Sequence, residues 1–251
     1  MIKSKKKMIL LIIVLIIISV LILLFLLDKK VGAPQNNTNT TSSNTQKQTN
    51  KATTKKEIVF DKSKYSIDNP ISIWVVVDKK RPLVPMTYAP TDLISVGNGQ
   101  VMRNESASAF AQMIADAKKV GYTLLAESGY RSYSTQVSVY GNEVKNFGQI
   151  TADTESARPG YSEHQTGWAI DIASPGCAED CFGKTMASKW LLANAYKYGF
   201  FERYPANKTN ITGYRNEPWH FRYVGKELAL EIQKTGQTLE EFFGLSPAPT
   251  Y

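Results

Sequence analysis

The sequence predicts an α+β domain with a largely antiparallel sheet, preceded by one transmembrane helix. Strand-like and helix-like segments are mixed without a repeating strand-helix-strand rhythm, which argues against a parallel sheet. A long apolar run lies within the first 30 residues, and an almost entirely polar stretch follows it up to residue 58. The remaining stretch of about 190 residues is enough for one domain with one hydrophobic core.

Residues 1–30 are predicted to be a membrane anchor. Four lysines precede an apolar run of 20 residues, 8–27, which at about 1.5 Å per residue can span a bilayer core of about 30 Å. A cleaved signal peptide is the alternative, but its apolar region would be about 7–15 residues long and would end in a small-residue cleavage site. This run ends instead in Asp28, Lys29 and Lys30. The lysine excess before the span predicts an internal N-terminus and a single-pass protein whose remaining chain is extracytoplasmic.

Residues 31–58 are rich in Asn, Thr, Ser and Lys, and are predicted to be a disordered tether because they offer almost no apolar surface to bury. Of the formal net charge of +8, residues 1–30 carry +5 and residues 31–58 carry +3, so residues 59–251 have no net charge. A nucleic-acid-binding protein needs a concentrated basic face. The charge distribution therefore argues against a nucleic-acid partner.

Local patterns within the predicted domain, residues 59–251, give its elements in order. A β-branched and aromatic run predicts a strand over 71–77. Apolar residues at helical spacing followed by a glycine predict a helix over 105–120, and a short apolar run predicts a strand over 123–127. The same patterns predict further helices over 134–147, 186–198 and 224–235, and further strands over 168–173 and 219–223.

The chain has only two histidines, His164 and His220, and each has a carboxylate nearby. Asp171 follows the first by seven residues, and Glu217 precedes the second by three. Two imidazoles and one carboxylate form a ligand set typical of catalytic zinc, and the further carboxylate is a candidate general base. Residues three apart on a regular strand point to opposite faces, but Pro218 keeps Glu217 out of the ladder and lets it turn toward the site. Spacing alone supports a metal site and two unrelated histidines about equally.

Cys177 and Cys181 follow Asp171 closely. An extracytoplasmic location favours a disulfide between them, although a loop this small gains little stability from closure. The alternative, a second metal site, would need more ligands than Glu179 and Asp180 supply. We expect a disulfide that clamps a loop at the rim of the site.

Two motifs resemble those of a known family. Ser-x-His-x-x-Gly-x-Ala-x-Asp at 162–171, together with Glu-Pro-Trp-His at 217–220, is similar to the VanY-type D-alanyl-D-alanine carboxypeptidases, zinc peptidases that trim bacterial peptidoglycan stem peptides. The related LD-carboxypeptidases share these motifs. The resemblance continues through 128–132 and 198–200, and covers most of residues 80–230.

The resemblance implies a fold, a site and an activity. The fold is a small central antiparallel sheet flanked by helices, with zinc in its cleft. The implied zinc ligands are His164, Asp171 and His220, and Glu217 is the implied base for the attack of water on the terminal peptide bond. The residues expected to contact substrate are Arg131, which suits a terminal carboxylate, and more weakly Gln136, Ser162 and Trp219. Arg222 is expected in a surface ion pair.

Several alternatives stay open from the sequence. The scissile bond is D-Ala-D-Ala in a pentapeptide stem or the LD bond of a tetrapeptide stem, since both substrates end in D-alanine. A peptidoglycan endopeptidase would not need an arginine for a terminal carboxylate, and a non-catalytic zinc-stabilised module would not need Glu217. If the resemblance holds, residues 1–30 anchor the enzyme in a bacterial cell membrane. Oligomeric state has no signal in the sequence.

Overall fold

The computed structural model describes residues 60–251, so the predicted anchor and tether lie outside the described residues. Among residues 60–251, no helix has the length and apolarity needed to cross a membrane. The predicted boundaries at residues 30 and 58 therefore stay predictions.

Two antiparallel sheets form the β part of the domain. A hairpin pairs β1, Leu93–Gly97, with β2, Gln100–Arg103. The second sheet has four strands in the order β3-β4-β6-β5, and every neighbouring pair is antiparallel. Its strands are β3, Leu125–Ser128; β4, Ala169–Ala173; β5, Phe200–Glu202; and β6, His220–Tyr223. The prediction of antiparallel sheets flanked by helices is confirmed.

Helices surround the four-stranded sheet and connect its strands. The three longest are α1, Asn104–Lys119; α2, Tyr133–Phe147; and α7, Lys226–Thr235. The shorter α-helices are α3, Gln149–Glu155; α4, Glu179–Gly183; α5, Met186–Asn194; α6, Thr209–Thr212; and α8, Leu239–Phe243. Two 3₁₀ helices, Glu163–Thr166 and Ala195–Tyr198, precede β4 and β5. The predicted helices over 105–120, 134–147 and 224–235 are confirmed within two residues at each end.

The core consists of two clusters of buried side chains. The larger one packs α1 against the four-stranded sheet and includes Phe110, Ile170 and Phe221, each fully buried. The smaller one packs α7 and α8 against the segment around Trp74. The larger cluster includes Phe200 and the smaller one includes Phe201, so the two clusters contact opposite faces of β5.

The predicted strand over 71–77 is wrong. Residues 74–77 are buried, as their apolar character predicts, but they pair with no strand. Backbone N–H groups of this segment donate to nearby loop carbonyls, such as Val76 N to Ile67 O at 2.9 Å. The carbonyls of Ile73 and Val75 accept instead from the guanidinium of Arg222, at 3.1 and 2.9 Å. The buried Arg222 thus supplies the hydrogen-bond donors that a neighbouring strand would otherwise provide.

Candidate metal centre and cleft

A cleft of about 560 Å³ opens at one end of the four-stranded sheet, between the strand ends and helices α2 and α3. Its walls contain most of the side chains that the sequence singles out. These are Arg131, Ser162, His164, Asp171, Glu217, Trp219 and His220. The structure therefore brings together residues that lie up to 89 positions apart in the chain.

The sheet register places the three candidate zinc ligands side by side. Asp171 on β4 pairs directly with His220, the first residue of β6. His164 lies in the 3₁₀ helix before β4, which ends at Gly167 with φ of +73°. A side chain at Gly167 would collide with Arg103, so this turn requires glycine. One nitrogen or oxygen from each of the three ligands lies within 4.8 Å of the others.

One ring nitrogen of each histidine contacts a protein oxygen on the side away from the cleft. His164 Nδ1 lies 2.8 Å from the backbone carbonyl of Gly129, and His220 Nε2 lies 3.4 Å from Oε2 of Glu163. This leaves His164 Nε2 and His220 Nδ1 facing Asp171, at 3.2 and 3.1 Å from its two oxygens. Such outer contacts fix the tautomer of a metal-binding histidine.

An unpartnered oxygen supports the metal site. Oδ1 of Asp171 is buried and has no hydrogen-bond donor within residues 60–251. A buried carboxylate oxygen without a donor costs free energy, and a cation between it and the two imidazole nitrogens would satisfy it. Two nitrogens and one oxygen fit Zn²⁺, which in catalytic sites takes three protein ligands and one water or substrate.

The charges of the three ligands depend on one another. Burial would raise the pKa of Asp171, but the two histidines hold it well below its usual range. Burial lowers the pKa of His164. Burial also acts to lower the pKa of His220, but the adjacent carboxylates of Asp171 and Glu163 raise it to about 9. Asp171 is therefore an ionised ligand that attracts positive charge to this position.

Glu217 turns toward the same three residues, as its position before Pro218 predicts. Its backbone N–H donates to Tyr204 O at 3.0 Å, and its carbonyl accepts from His220 N at 3.1 Å, so residues 217–220 form a tight turn. Its Oε2 lies 3.7 Å from His220 Nδ1. Burial raises the pKa of Glu217 to about 8, so this carboxyl group can take up and release a proton near neutral pH.

Arg131 lines the same cleft as Glu217 and is held in a fixed orientation. Its Nη1 donates to Oε1 of Gln136 at 2.9 Å, and its Nη2 donates to Oγ of Ser128 at 2.8 Å. Nη2 also lies 3.9 Å from Oδ2 of Asp171. The guanidinium thus sits next to the ligand set and remains partly exposed to the cleft.

Comparison with known proteins identifies the family. The family profile described as VanY, D-alanyl-D-alanine carboxypeptidase, matches residues 99–226, about half of the chain. The chain belongs to the VanY family. It is a zinc-dependent D-alanyl-D-alanine or LD-type carboxypeptidase, and the resemblance of its motifs to this family is confirmed.

Three relatives show how far the similarity extends. The Bacillus subtilis (strain 168) protein YodJ is 45% identical over 190 residues, 71% of this chain and 69% of its own. The solved structure of the LdcB LD-carboxypeptidase is 45% identical, has a TM-score of 0.65, and matches 70% of this chain and 88% of its own. The structure of the vancomycin-resistance D,D-pentapeptidase VanY with Zn(II) is 32% identical, has a TM-score of 0.62, and matches 68% of this chain and 98% of its own.

Gln136 of this VanY-family enzyme lies behind Arg131, outside the cleft lining. Its side chain is fully buried, and its amide nitrogen donates to Ala157 O at 2.7 Å and to Ser156 Oγ at 3.2 Å. The contact that the structure shows is with Arg131, through the amide oxygen. Its predicted bond to the substrate stays a prediction.

The remaining predicted residues lie at the rim and walls of the VanY-family cleft. Ser162 lines the cleft, and Trp219 both lines it and belongs to the core cluster. The predicted disulfide joins Cys177 and Cys181, with Cα atoms 5.3 Å apart. Arg215 connects this loop to the wall, because it pairs with Asp180 at 2.9 Å and its guanidinium lies 4.8 Å from the ring of Trp219.

The sequence prediction missed or misplaced three residues around the ligands. Tyr204 lines the cleft with its ring 4.9 Å from that of His220. Glu163, adjacent to His164, contacts the other histidine. Arg222 is fully buried and not a surface residue, and it pairs with Glu163 at 2.8 Å. The available signal was a charged residue inside an otherwise aromatic strand, His220-Phe221-Arg222-Tyr223.

Proposed function

We propose that this enzyme removes the C-terminal D-alanine from peptidoglycan stem peptides. The observation that supports this substrate is the position of Arg131, held by Ser128 and Gln136 beside Asp171. A fixed guanidinium suits a planar terminal carboxylate. A peptidase that cuts internal bonds meets no such carboxylate next to the scissile bond.

The chemistry follows from the residues around the cleft. Zinc, when bound, supplies a Lewis acid that makes water more acidic and polarises the scissile carbonyl. Arg131 binds the terminal carboxylate and thereby places the last peptide bond beside the ligand set. Glu217 accepts the proton of the attacking water and returns it to the nitrogen of the departing D-alanine. A carboxyl group whose pKa is about 8 is suited to both transfers near neutral pH.

The D-Ala-D-Ala bond of a pentapeptide stem is the first candidate, as the family description implies. The LD bond of a tetrapeptide stem is the second. The second candidate is supported by sequence identity, which is higher to the LdcB LD-carboxypeptidase (45%) than to the D,D-pentapeptidase VanY (32%). Both substrates present the same terminal carboxylate to Arg131, so the cleft beyond the scissile bond distinguishes them.

The test measures D-alanine release from defined stems by mass spectrometry. The purified zinc-loaded protein is incubated with a pentapeptide, a tetrapeptide, and the same two peptides with an amidated C-terminus. We expect release of one D-alanine from a free-carboxylate peptide and loss of that release on amidation. Equal cleavage of the amidated peptides, or no D-alanine from either free peptide, would refute the carboxypeptidase assignment for this chain.

We also propose that residues 1–30 anchor the enzyme in a bacterial cell membrane and that residues 31–58 tether the domain on the outside. The support is the lysine-flanked apolar run and the location of peptidoglycan outside the membrane. Fractionation and protease treatment of intact spheroplasts test this. The expected result is a membrane-bound protein whose domain is released by external protease, and a protein in the soluble fraction would contradict it.

A further inference from the structure

A network of four buried charged side chains lies behind His220. It contains two carboxylates and two guanidinium groups, and all four side chains have an exposed fraction of 0%. They are Glu163, Arg203, Arg222 and Glu240. The charges balance, which is the condition under which ionised groups are stable in a protein interior.

Glu163 divides its two oxygens between the arginines and the histidine. Oε1 accepts from Arg203 Nε at 2.9 Å and from Arg222 Nη1 at 2.8 Å. Oε2 lies 3.4 Å from Nε2 of His220. The two arginines therefore hold the carboxylate in one orientation, with its second oxygen directed at the metal ligand.

Both arginines are themselves fixed by other elements. Arg203 makes a bidentate pair with Glu240 on α8, at 3.0 and 2.6 Å. Arg222 donates to the carbonyls of Ile73 and Val75. Glu240 and both carbonyls lie outside residues 99–226, the part that matches the family profile. Segments on either side of that part thus contribute partners to the buried charge network.

We propose that Glu163 is the positioning residue for His220. It accepts the Nε2–H of the imidazole, which keeps the proton on Nε2 and leaves the lone pair of Nδ1 directed at the metal. His164 has no such side chain and is oriented by a backbone carbonyl, that of Gly129. The inference concerns the metal site and does not depend on which stem peptide is cleaved.

The variant that tests this is Glu163→Gln, which keeps the shape of the side chain. Its amide oxygen stays with the two arginines because both are donors. Its NH₂ group then replaces Oε2 against His220 Nε2, so that a donor stands where an acceptor is needed. Glu240→Gln is the matched control, because it removes the same charge from the same network without touching His220.

The first measurement is zinc affinity by competition with a chelator, using the full chain. We expect Glu163→Gln to weaken zinc binding about 10–100-fold, the range found for outer partners of metal ligands, and Glu240→Gln to weaken it much less, because Glu240 contacts no ligand. Unchanged affinity in Glu163→Gln, or equal losses in the two variants, would overturn the proposal. D-alanine release by the wild type is measured separately, so the failure of one proposal does not imply the failure of the other.

The second measurement is the imidazole N–H spectrum of the zinc-loaded protein by ¹H–¹⁵N NMR. The chain has two histidines, so these two rings account for all imidazole signals. In the wild type we expect a hydrogen-bonded Nε2–H for His220 and a hydrogen-bonded Nδ1–H for His164. Glu163→Gln should shift or lose only the first signal, and Glu240→Gln should change neither. An unaltered His220 signal in Glu163→Gln would contradict the role proposed for Glu163.

If Glu163→Gln does not fold, Glu163→Asp replaces it. Aspartate keeps a negative charge opposite Arg203 and Arg222 but is one methylene shorter, so it withdraws its second oxygen from His220. The same two measurements decide the outcome, with Glu240→Asp as the control.

Discussion

Two buried glutamates lie on opposite sides of the same histidine, and their surroundings differ. Glu217 lies on the cleft side, 3.7 Å from Nδ1 of His220. Glu163 lies on the interior side, 3.4 Å from Nε2. Burial raises the pKa of Glu217 to about 8. Burial acts in the same direction on Glu163, but Arg222 and Arg203 hold its pKa well below the usual range.

The difference shows how one residue type takes two roles at one site. A general base must gain and lose a proton near the working pH, so it needs burial without a paired cation. A positioning carboxylate must stay charged and fixed, so it needs cations that offset its desolvation. The arginines therefore lie on the interior side of His220, where they hold Glu163 and not Glu217.

Removal of the base is expected to have the largest effect. Glu217→Ala should lower kcat for D-alanine release by about 10³-fold or more, because no carboxyl group remains to take the proton of water. Zinc affinity should stay near that of the wild type, because Glu217 is not one of the three ligands. Metal analysis and turnover on the same sample check this. Glu127→Ala, an exposed change outside the cleft, is the control, and retained turnover in Glu217→Ala would place the base elsewhere.

The two glutamates should also differ in what they contribute to stability. Glu163→Gln leaves two buried arginines without their shared anion and should lower the free energy of unfolding by about 3–5 kcal/mol. Glu217→Gln removes a buried acid that has no ion pair within residues 60–251 apart from its contact with His220, so it should cause no such loss. Urea unfolding of the metal-free proteins measures both. Equal losses of unfolding free energy in Glu163→Gln and Glu217→Gln would mean that pairing with the arginines does not make Glu163 more important for stability than Glu217.

Much of the fold was predictable because its main elements carry their own hydrophobic pattern. The helix α1 buries Phe110, Met113 and Ala117 at helical spacing, and β4 is a short apolar run around Asp171. By contrast, β5 has three residues and α8 has five, too few to show a period. The hairpin of β1 and β2 depends on Asn98 at φ of +53° between two glycines, a turn signal that the hydrophobic pattern does not contain.

The metal ligands and the general base were predictable for a different reason from the residues behind them. His164, Asp171, Glu217 and His220 lie in two short motifs, so their chemistry is visible in local sequence. Glu163 reaches Arg203 and Arg222 across 40 and 59 residues, respectively. Nothing local indicates that pairing, and it exists only because the four-stranded sheet brings β5 and β6 behind the loop before β4.

The Arg131→Lys variant tests whether substrate binding needs only the positive charge of Arg131 or also the geometry of its guanidinium group. Arg131→Lys keeps the positive charge near Asp171 but loses the planar guanidinium, whose two N–H donors can bind both oxygens of a carboxylate. We expect kcat/KM for a stem peptide to fall about 10–100-fold, mostly through KM, because a charged hydrogen bond contributes about 1.5–3 kcal/mol. Arg158→Lys, at a bidentate pair with Asp153 outside the cleft lining, is the control. An unchanged KM in Arg131→Lys would show that charge alone is required.

A third glutamate, Glu202 at the end of β5, tests whether burial without a cation is enough to raise a pKa. Burial raises the pKa of Glu202 to about 7, and its side chain accepts one hydrogen bond within the described residues, from Asn216 at 3.1 Å. Below the unfolded-state pKa of 4.5 both states hold the proton. As the pH rises from there through about 7, the unfolded chain releases the proton first, so stability falls and then levels off.

Glu202→Gln should remove this pH dependence, because the amide does not titrate. The variant should match the wild type at pH near 4 and exceed its free energy of unfolding by about 3 kcal/mol at pH near 8. Urea unfolding of both metal-free proteins at several pH values gives the difference, in which the contributions of all other groups cancel. A difference that is constant with pH would show that burial alone does not raise the pKa of Glu202. The raised pKa of Glu217 would then depend on the neighbouring charge of Asp171, and the base would owe its properties to the ligand set itself.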